Sequence, residues 1–302
     1  MTGVQGFLGA RLAARSRSSG TRHRAGLSAR AVAPDATSSS RTSGQGCRRA
    51  SCEGRLVAHL ARSSASSRVL RRPRECWSVS VDRTSLVSAL ARARGARLVF
   101  TSSSEVYGEG SGRTLGEDDA LPDGYGPWPR AAYAEGKRLA EDVALAAGHR
   151  VARLFNASGP GQRAEGGMVV PTFVRACLHG LPLPIVGDGN DTRCFQHRDD
   201  AVAGLLRLLR APDAPALVNI GGRELRTVRG LALEVRRLLR SDSPLVGVTS
   251  EQRYGAPCGG CRHRVPDLGR MERELGHRAR LPLSRIVLDL AGELREQARP
   301  AV

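Results

Sequence analysis

From residue 56 onward, short apolar runs alternate with longer amphipathic stretches. Residues 55–61, 96–100, 151–155, 183–186, 217–220 and 245–248 read as strands, most of them apolar almost throughout, as in a sheet covered on both faces. Helical spacing covers 84–94, with Leu86, Val87 and Leu90 on one face, and about 131–147, which Gly148 closes. Further helices fit 171–179, 199–209, 227–239 and 284–296, and 122–129 is a Pro/Gly-rich loop. Strands alternating with helices of this length predict βαβ units, hence an α/β fold with a doubly wound, largely parallel sheet. No internal repeat is visible. The expected division is a Rossmann-like nucleotide-binding domain over residues 1–160 and a smaller α/β substrate-binding part over 161–302.

The first 55 residues fit this pattern poorly. Gly3, Gly6 and Gly9, with Phe7 among them, have the spacing of a glycine-rich turn that opens a helix, where backbone amides can meet a pyrophosphate. Such a turn ordinarily follows a buried strand. None precedes it here, so the sheet is expected to lack its first strand, through a misplaced start or an incomplete domain. A second strand should end in Asp or Glu about 20 residues after the turn. Ser28 stands near that place, and Asp35 is the next acid. Residues 10–55 are rich in Ser and Arg, with little helical periodicity; their composition is that of a transit peptide, although a glycine turn lies upstream. These features motivate one alternative: a non-catalytic protein that binds a nucleotide or a partner through a degenerate cofactor site.

Charge sharpens the division. The net charge is +18, and residues 1–97 carry +15 of it. That arm has only Phe7 and Trp77 as aromatics, too few to stack bases, which argues against nucleic acid as the main partner. No apolar run is long enough to span a membrane and no secretory pattern appears. The seven scattered cysteines read as free thiols of a reducing, cytoplasmic compartment. Cys258, Cys261 and His263 would make half a zinc site, with no second pair to complete it, so no metal is expected.

One residue stands out against the 47 lysines and arginines: Lys137 is the only lysine. Tyr133 lies four residues before it, on the same helical face, where an ammonium can lower a phenol's pKa. An ordinary solvated face has the same spacing. Ser103, Ser104 and Glu105 follow the strand at 96–100, and polar groups at the C-terminal ends of parallel strands face the ligand crevice. A hydroxyl, a carboxylate, a tyrosine and a lysine converging there are acid–base equipment.

The blocks TGVQGFLG (2–9), VAHLA (57–61), RLVFTSSSEVYG (97–108), YAEGKRLAE (133–141), RVARLFNASGPGQ (150–162), TRCFQHRDDAV (192–202) and RHRVPDLGRMERELG (262–276) stand in the order of the extended short-chain dehydrogenase/reductases that act on nucleotide sugars. The chain resembles that family continuously from about residue 56. Within it, Ser103-Ser104-Glu105-Val106-Tyr107-Gly108 with Tyr133-Ala134-Glu135-Gly136-Lys137-Arg138 is most similar to the UDP-glucuronate decarboxylases. The 4,6-dehydratases carry an aspartate where this chain has Ser104, and the 4-epimerases usually lack the glutamate.

The resemblance implies NAD as cofactor, a UDP-linked sugar as substrate and a homodimer through the Tyr133 helix. It assigns Tyr133 as the base, Lys137 as the group that lowers its pKa and holds the nicotinamide ribose, and Ser103 with Ser104 and Glu105 as their neighbours in catalysis. Gly3, Gly6, Phe7 and Gly9 would hold the cofactor; Asn156, Arg193 and Arg264 would hold the sugar nucleotide. The implied reaction is decarboxylation of UDP-glucuronate to UDP-xylose, with 4-epimerisation or 4,6-dehydration as alternatives.

Overall fold

A computed structural model describes residues 6–18, 56–60, 69, 72–109, 112–126, 130–164, 167–255, 257 and 262–298. Gly3, Ser28, Asp35, Cys258 and Cys261 lie outside the described residues.

The central sheet is fully parallel: β1 (Leu56–His59), β2 (Arg97–Ser103), β3 (Arg150–Leu154) and β7 (Leu217–Ile220) lie in that order. Its middle strands are apolar because both faces are covered. Leu98, Phe100 and Val151 pack under α2 (Pro73–Ala93) and α3 (Ala131–Ala146). Val99 and Ala152 pack against α1 (Phe7–Ser18), α5 (Arg198–Arg210) and α8 (Gly269–Arg273) through Leu12, Val202, Leu205 and Met271. The fourth strand comes from beyond residue 160, so this sheet draws on both of the parts expected from sequence.

The rest of the chain builds a second layer on one end of this sheet. β6 (Thr192–His197) pairs in parallel with β4 (Ala157–Ser158) and β10 (His263–Arg264), and antiparallel with β8 (Glu224–Thr227). β5 (Leu183–Val186) pairs with β9 (Leu245–Val248). A separate core of Phe173, Leu183, Ile185, Leu231, Ile286 and Leu290 joins α4 (Val169–Leu178), α6 (Val228–Leu239) and α9 (Leu283–Gln297). A short α7 (Ser250–Tyr254) opens with a capping box at Thr249.

Two expectations are corrected. The helix expected over 84–94 begins at Pro73. Its buried positions are Cys76, Ser80, Thr84, Ser88 and Ala91, so the inward face is small and hydroxylated rather than apolar. Ser80 and Thr84 return their hydroxyl protons to carbonyls four residues back, which lets such side chains be buried in a helix. The second concerns residues 10–18, which continue a helix rather than an unreadable stretch. Tertiary contacts supply what periodicity does not: Leu12 and Ala13 are buried, and Arg11 grips Asp199 of α5 through two hydrogen bonds of 2.6 and 2.7 Å.

Candidate active site

One cleft runs along the C-terminal ends of the parallel strands, where such sheets place their ligands. At one end it is lined by Gly6, Phe7, Leu8 and Gly9 at the start of α1. It then passes Leu60 and Thr101 to the group Ser103, Ser104, Glu105, Tyr133 and Lys137, and reaches Asn156, Arg193 and Arg264. The described residues assigned from sequence thus share one cavity.

The 3₁₀ turn Ser104–Tyr107 carries Glu105 directly after β2. Ser103 caps that turn, its hydroxyl accepting from the Glu105 amide at 3.3 Å, and Gly108 at φ 69° ends it. Ser103 also favours the ionised form of the Tyr133 hydroxyl. α3 brings Tyr133, Lys137 and Glu141 to one buried face, one turn apart each.

Burial pushes the Tyr133 phenol up to about 12, with the Glu105 charge adding to the effect and Arg130 and Ser103 opposing it. Lys137 is pushed down to about 7 by burial, against the support of Glu141. The groups that act most on the Tyr133 phenol do not include Lys137. Its Nζ donates to the Thr101 carbonyl at 2.6 Å and lies over the Phe100 ring at 4.7 Å, but stands 5.9 Å from the Tyr133 ring centre.

Glu105 shows the opposite balance. Burial raises its pKa, yet the charges of Arg130 and Arg264 outweigh burial and hold the carboxyl below the usual range. Arg130 grips it with both arms of the fork, Nε to Oε2 and Nη2 to Oε1, each at 2.7 Å. Arg264 Nη1 stands 3.8 Å from Oε1. Arg193 and Arg264 are register partners on adjacent strands β6 and β10, so both face the same end of the cleft. Arg264 is buried, and its Nε has no hydrogen-bond partner. Asn156 donates to the Cys194 carbonyl at 3.3 Å, tying the end of β3 to β6.

Sequence reading missed Arg130, which precedes α3 by one residue; it was one arginine among dozens. It also missed the buried Glu141–Arg153 pair at 2.9 Å, with Tyr107 and Asn219 hydrogen-bonded beyond it. The signal for the first was Pro129-Arg130 three residues before Tyr133.

A dinucleotide fits the described residues. The N-terminus of α1 has no acid in its first turn to neutralise it, so its amides present positive charge to the cleft. Gly9 is buried there. Lys137, with one of its three protons given to Thr101, has donors left for a ribose. Among the described residues no group of three or more His, Cys, Asp or Glu side chains is arranged to hold a metal. No described helix is long and apolar enough to cross a membrane.

The model of the NAD dependent epimerase/dehydratase family matches residues 1–221. A UDP-glucuronic acid decarboxylase 1 from Danio rerio is 31% identical over 236 residues, covering 75% of this chain and 54% of the relative. A UDP-N-acetyl-alpha-D-glucosaminuronate decarboxylase from Bacillus cytotoxicus is 30% identical over 227 residues, covering 72% of this chain and 69% of its own. The chain therefore spans about half the length of the animal relative. Among solved structures, MoeE5 in complex with UDP-glucose and NAD superposes with a TM-score of 0.77 at 26% identity, over 98% of both chains. DesIV, a dTDP-glucose 4,6-dehydratase from Streptomyces venezuelae with NAD bound, gives 0.69 at 28% identity, over 80% of this chain and 73% of its own.

Proposed function

Starting from the chain's membership of the NAD dependent epimerase/dehydratase family, we propose that it is a nucleotide-sugar decarboxylase that converts UDP-glucuronate to UDP-xylose through transient oxidation at C4 of the sugar. NAD is the cofactor of this family, and when bound it supplies a reversible hydride acceptor. Gly6, Phe7, Gly9 and Lys137 are the described residues that would hold it.

Tyr133 is the base that takes the proton of the sugar 4-hydroxyl; against burial and the Glu105 charge, Arg130 and Ser103 favour its ionised form. With C4 a ketone, the carboxylate on C5 belongs to a β-keto acid and leaves as CO₂. The resulting enolate oxygen is held by the Ser103 and Tyr133 hydroxyls. C5 then takes a proton from solvent, and Tyr133 returns its own as the C4 alcohol is restored. Ser104 has no acidic proton to give a leaving 6-hydroxyl, which disfavours 4,6-dehydration.

The observation that carries the decarboxylase reading is the charge at the sugar end of the cleft. Two carboxylates meet three guanidiniums there: Glu105 is faced by Arg130 and Arg264, and Asp191 pairs with Arg193 at 3.3 Å, leaving a net positive site. A hexuronate suits that site better than a neutral hexose.

The test is incubation of the protein with UDP-glucuronate and NAD⁺. Release of CO₂ with formation of UDP-xylose is expected, and Tyr133→Phe is expected to lose at least ~100-fold in kcat. UDP-galacturonate without CO₂ would replace this reading by 4-epimerisation. Absence of any product would remove it. Pairing of two copies through α2 and α3 belongs to the same reading: Leu139 and Leu86 are exposed on those helices, and sedimentation of the full chain tests it.

A further inference from the structure

We propose that Arg130 is a positioning residue of the acid–base site: its bidentate grip fixes the Glu105 carboxylate in the ionised form at the reacting end of the cleft. The proposal rests on the reading of Glu105 and Tyr133 as reaction machinery, and its first test needs no substrate.

Three geometric facts support it. The fork of Arg130 takes both oxygens of Glu105 at 2.7 Å, so the plane of the carboxylate is set by one residue. Arg264 is 3.8 Å away, beyond hydrogen-bond reach, and adds charge without orientation. The Arg130 guanidinium also lies 5.4 Å from the centre of the Tyr133 ring, so one cation addresses both groups. These contacts are buried: the side chains of Arg130 and Glu105 are 9% and 11% exposed. A carboxyl in such surroundings without its fork takes up a proton rather than remain charged.

Arg130 reaches this place from the N-cap of α3, while Glu105 sits in the turn after β2. The pair therefore straps the helix that carries Tyr133 and Lys137 to the strand end that carries Ser103. A strap alone is a structural role. A positioning role adds that Glu105 enters each catalytic cycle unprotonated, with its charge held in a fixed place beside Tyr133.

The experiment uses the full chain with Arg130→Gln and Arg130→Lys, each enriched with glutamate ¹³C-labelled at the δ carbon, and Glu105→Gln to assign the resonance. In the parent, the Glu105 resonance is expected to titrate below the ordinary glutamate value; in Arg130→Gln it is expected to titrate above it, by ~1 unit or more. Arg130→Lys keeps the charge but not the fork, and an intermediate midpoint is expected. In turnover with UDP-glucuronate, the acidic limb of the kcat profile moves to higher pH in Arg130→Gln. There kcat falls by ~10-fold or more at neutral pH with KM little changed. The double variant with Glu105→Gln is expected to be no slower than Glu105→Gln alone, because the two residues act as a unit.

A folded Arg130→Gln protein whose Glu105 titrates as in the parent overturns the proposal. So does a variant in which KM rises and kcat is kept, which would make Arg130 a substrate ligand. If Arg130→Gln does not fold, the Arg130→Lys titration decides alone, and an unshifted midpoint there refutes it. If the parent turns over no UDP-glucuronate, the decarboxylase reading fails while the titration still decides the role of Arg130.

Discussion

Lys137 and Tyr133 share one face of one helix, and burial drives both toward their neutral forms. Lys137 goes down to about 7 and Tyr133 up to about 12. The consequence for stability has a definite sign. An unfolded lysine stays protonated to about pH 10, so from about pH 7 to about pH 10 the unfolded chain holds a proton at this position that the folded chain has shed, and stability rises with pH over that window. Below about pH 7 the folded protein carries the full cost of a buried ammonium. Denaturant unfolding of the parent and of Lys137→Met at several pH values checks this. The parent is expected to gain on the variant by a few kcal/mol between about pH 7 and about pH 10; parallel curves would show that Lys137 keeps its proton throughout. The lysine's rarity drew attention to it, yet its charge state follows from its burial, which the Glu141 charge only partly opposes and which no spacing rule locates.

At the scale of elements, the pair α2 and α3 decides how well the site is held. Gly136 sits between Tyr133 and Lys137 in sequence and faces the neighbouring helix. A Cβ built there would stand 3.1 Å from the Trp77 Cα, tighter than side chains normally pack. With the small inward residues Cys76, Ser80 and Thr84, this lets the two helices approach closely. Gly136→Val is expected to force them apart, at a cost of ~1–3 kcal/mol in stability. Because Tyr133 and Lys137, the proposed base and its partner, ride on the displaced helix, kcat is also expected to fall. A thermal melt with a turnover assay checks it, and an unchanged melting point would refute the close-packing account. The same feature explains why α2 was only half legible: its hydrophobic period is carried by hydroxyls and small side chains that a period-based reading counts as polar. α3 was legible to within a residue, because Ala140 and Ala144 extend the face begun by Tyr133 and Lys137 and Gly148 stops it. β6 and β10 were missed as strands, since Thr192-Arg193-Cys194 and His263-Arg264 gain their pairing from each other and not from apolar alternation.

For the whole molecule, charge is the dominant long-range property. The chain carries +18, and the end of the cleft proposed to take the sugar gathers Arg130, Arg193 and Arg264. A nucleotide sugar with a diphosphate and a uronate brings several negative charges to that field. Raising sodium chloride from ~0.05 M to ~0.5 M is therefore expected to raise KM for UDP-glucuronate several-fold, by shortening the Debye length from ~14 Å to ~4 Å. A KM independent of salt would mean that buried, specific contacts carry the recognition. Calorimetric titration with NAD⁺ alone separates that part of the molecule from the sugar site.

The order of apolar runs and helical periods determined the α/β class, because burial on both faces of a parallel sheet leaves a local signature in each strand. The same local chemistry marked Tyr133, Lys137 and the Ser103–Glu105 cluster, since strand ends and helix faces are short-range features. Tertiary structure alone decided that residues 217–220 close the sheet begun at residue 56, that Asp199 anchors the first helix, and that Arg130 takes both oxygens of Glu105. It also decided that Lys137 is buried, with its Nζ on the Thr101 carbonyl and 5.9 Å from the centre of the Tyr133 ring. Contacts between residues distant in sequence, and the desolvation they impose, are properties of the packed chain and have no counterpart in residue spacing.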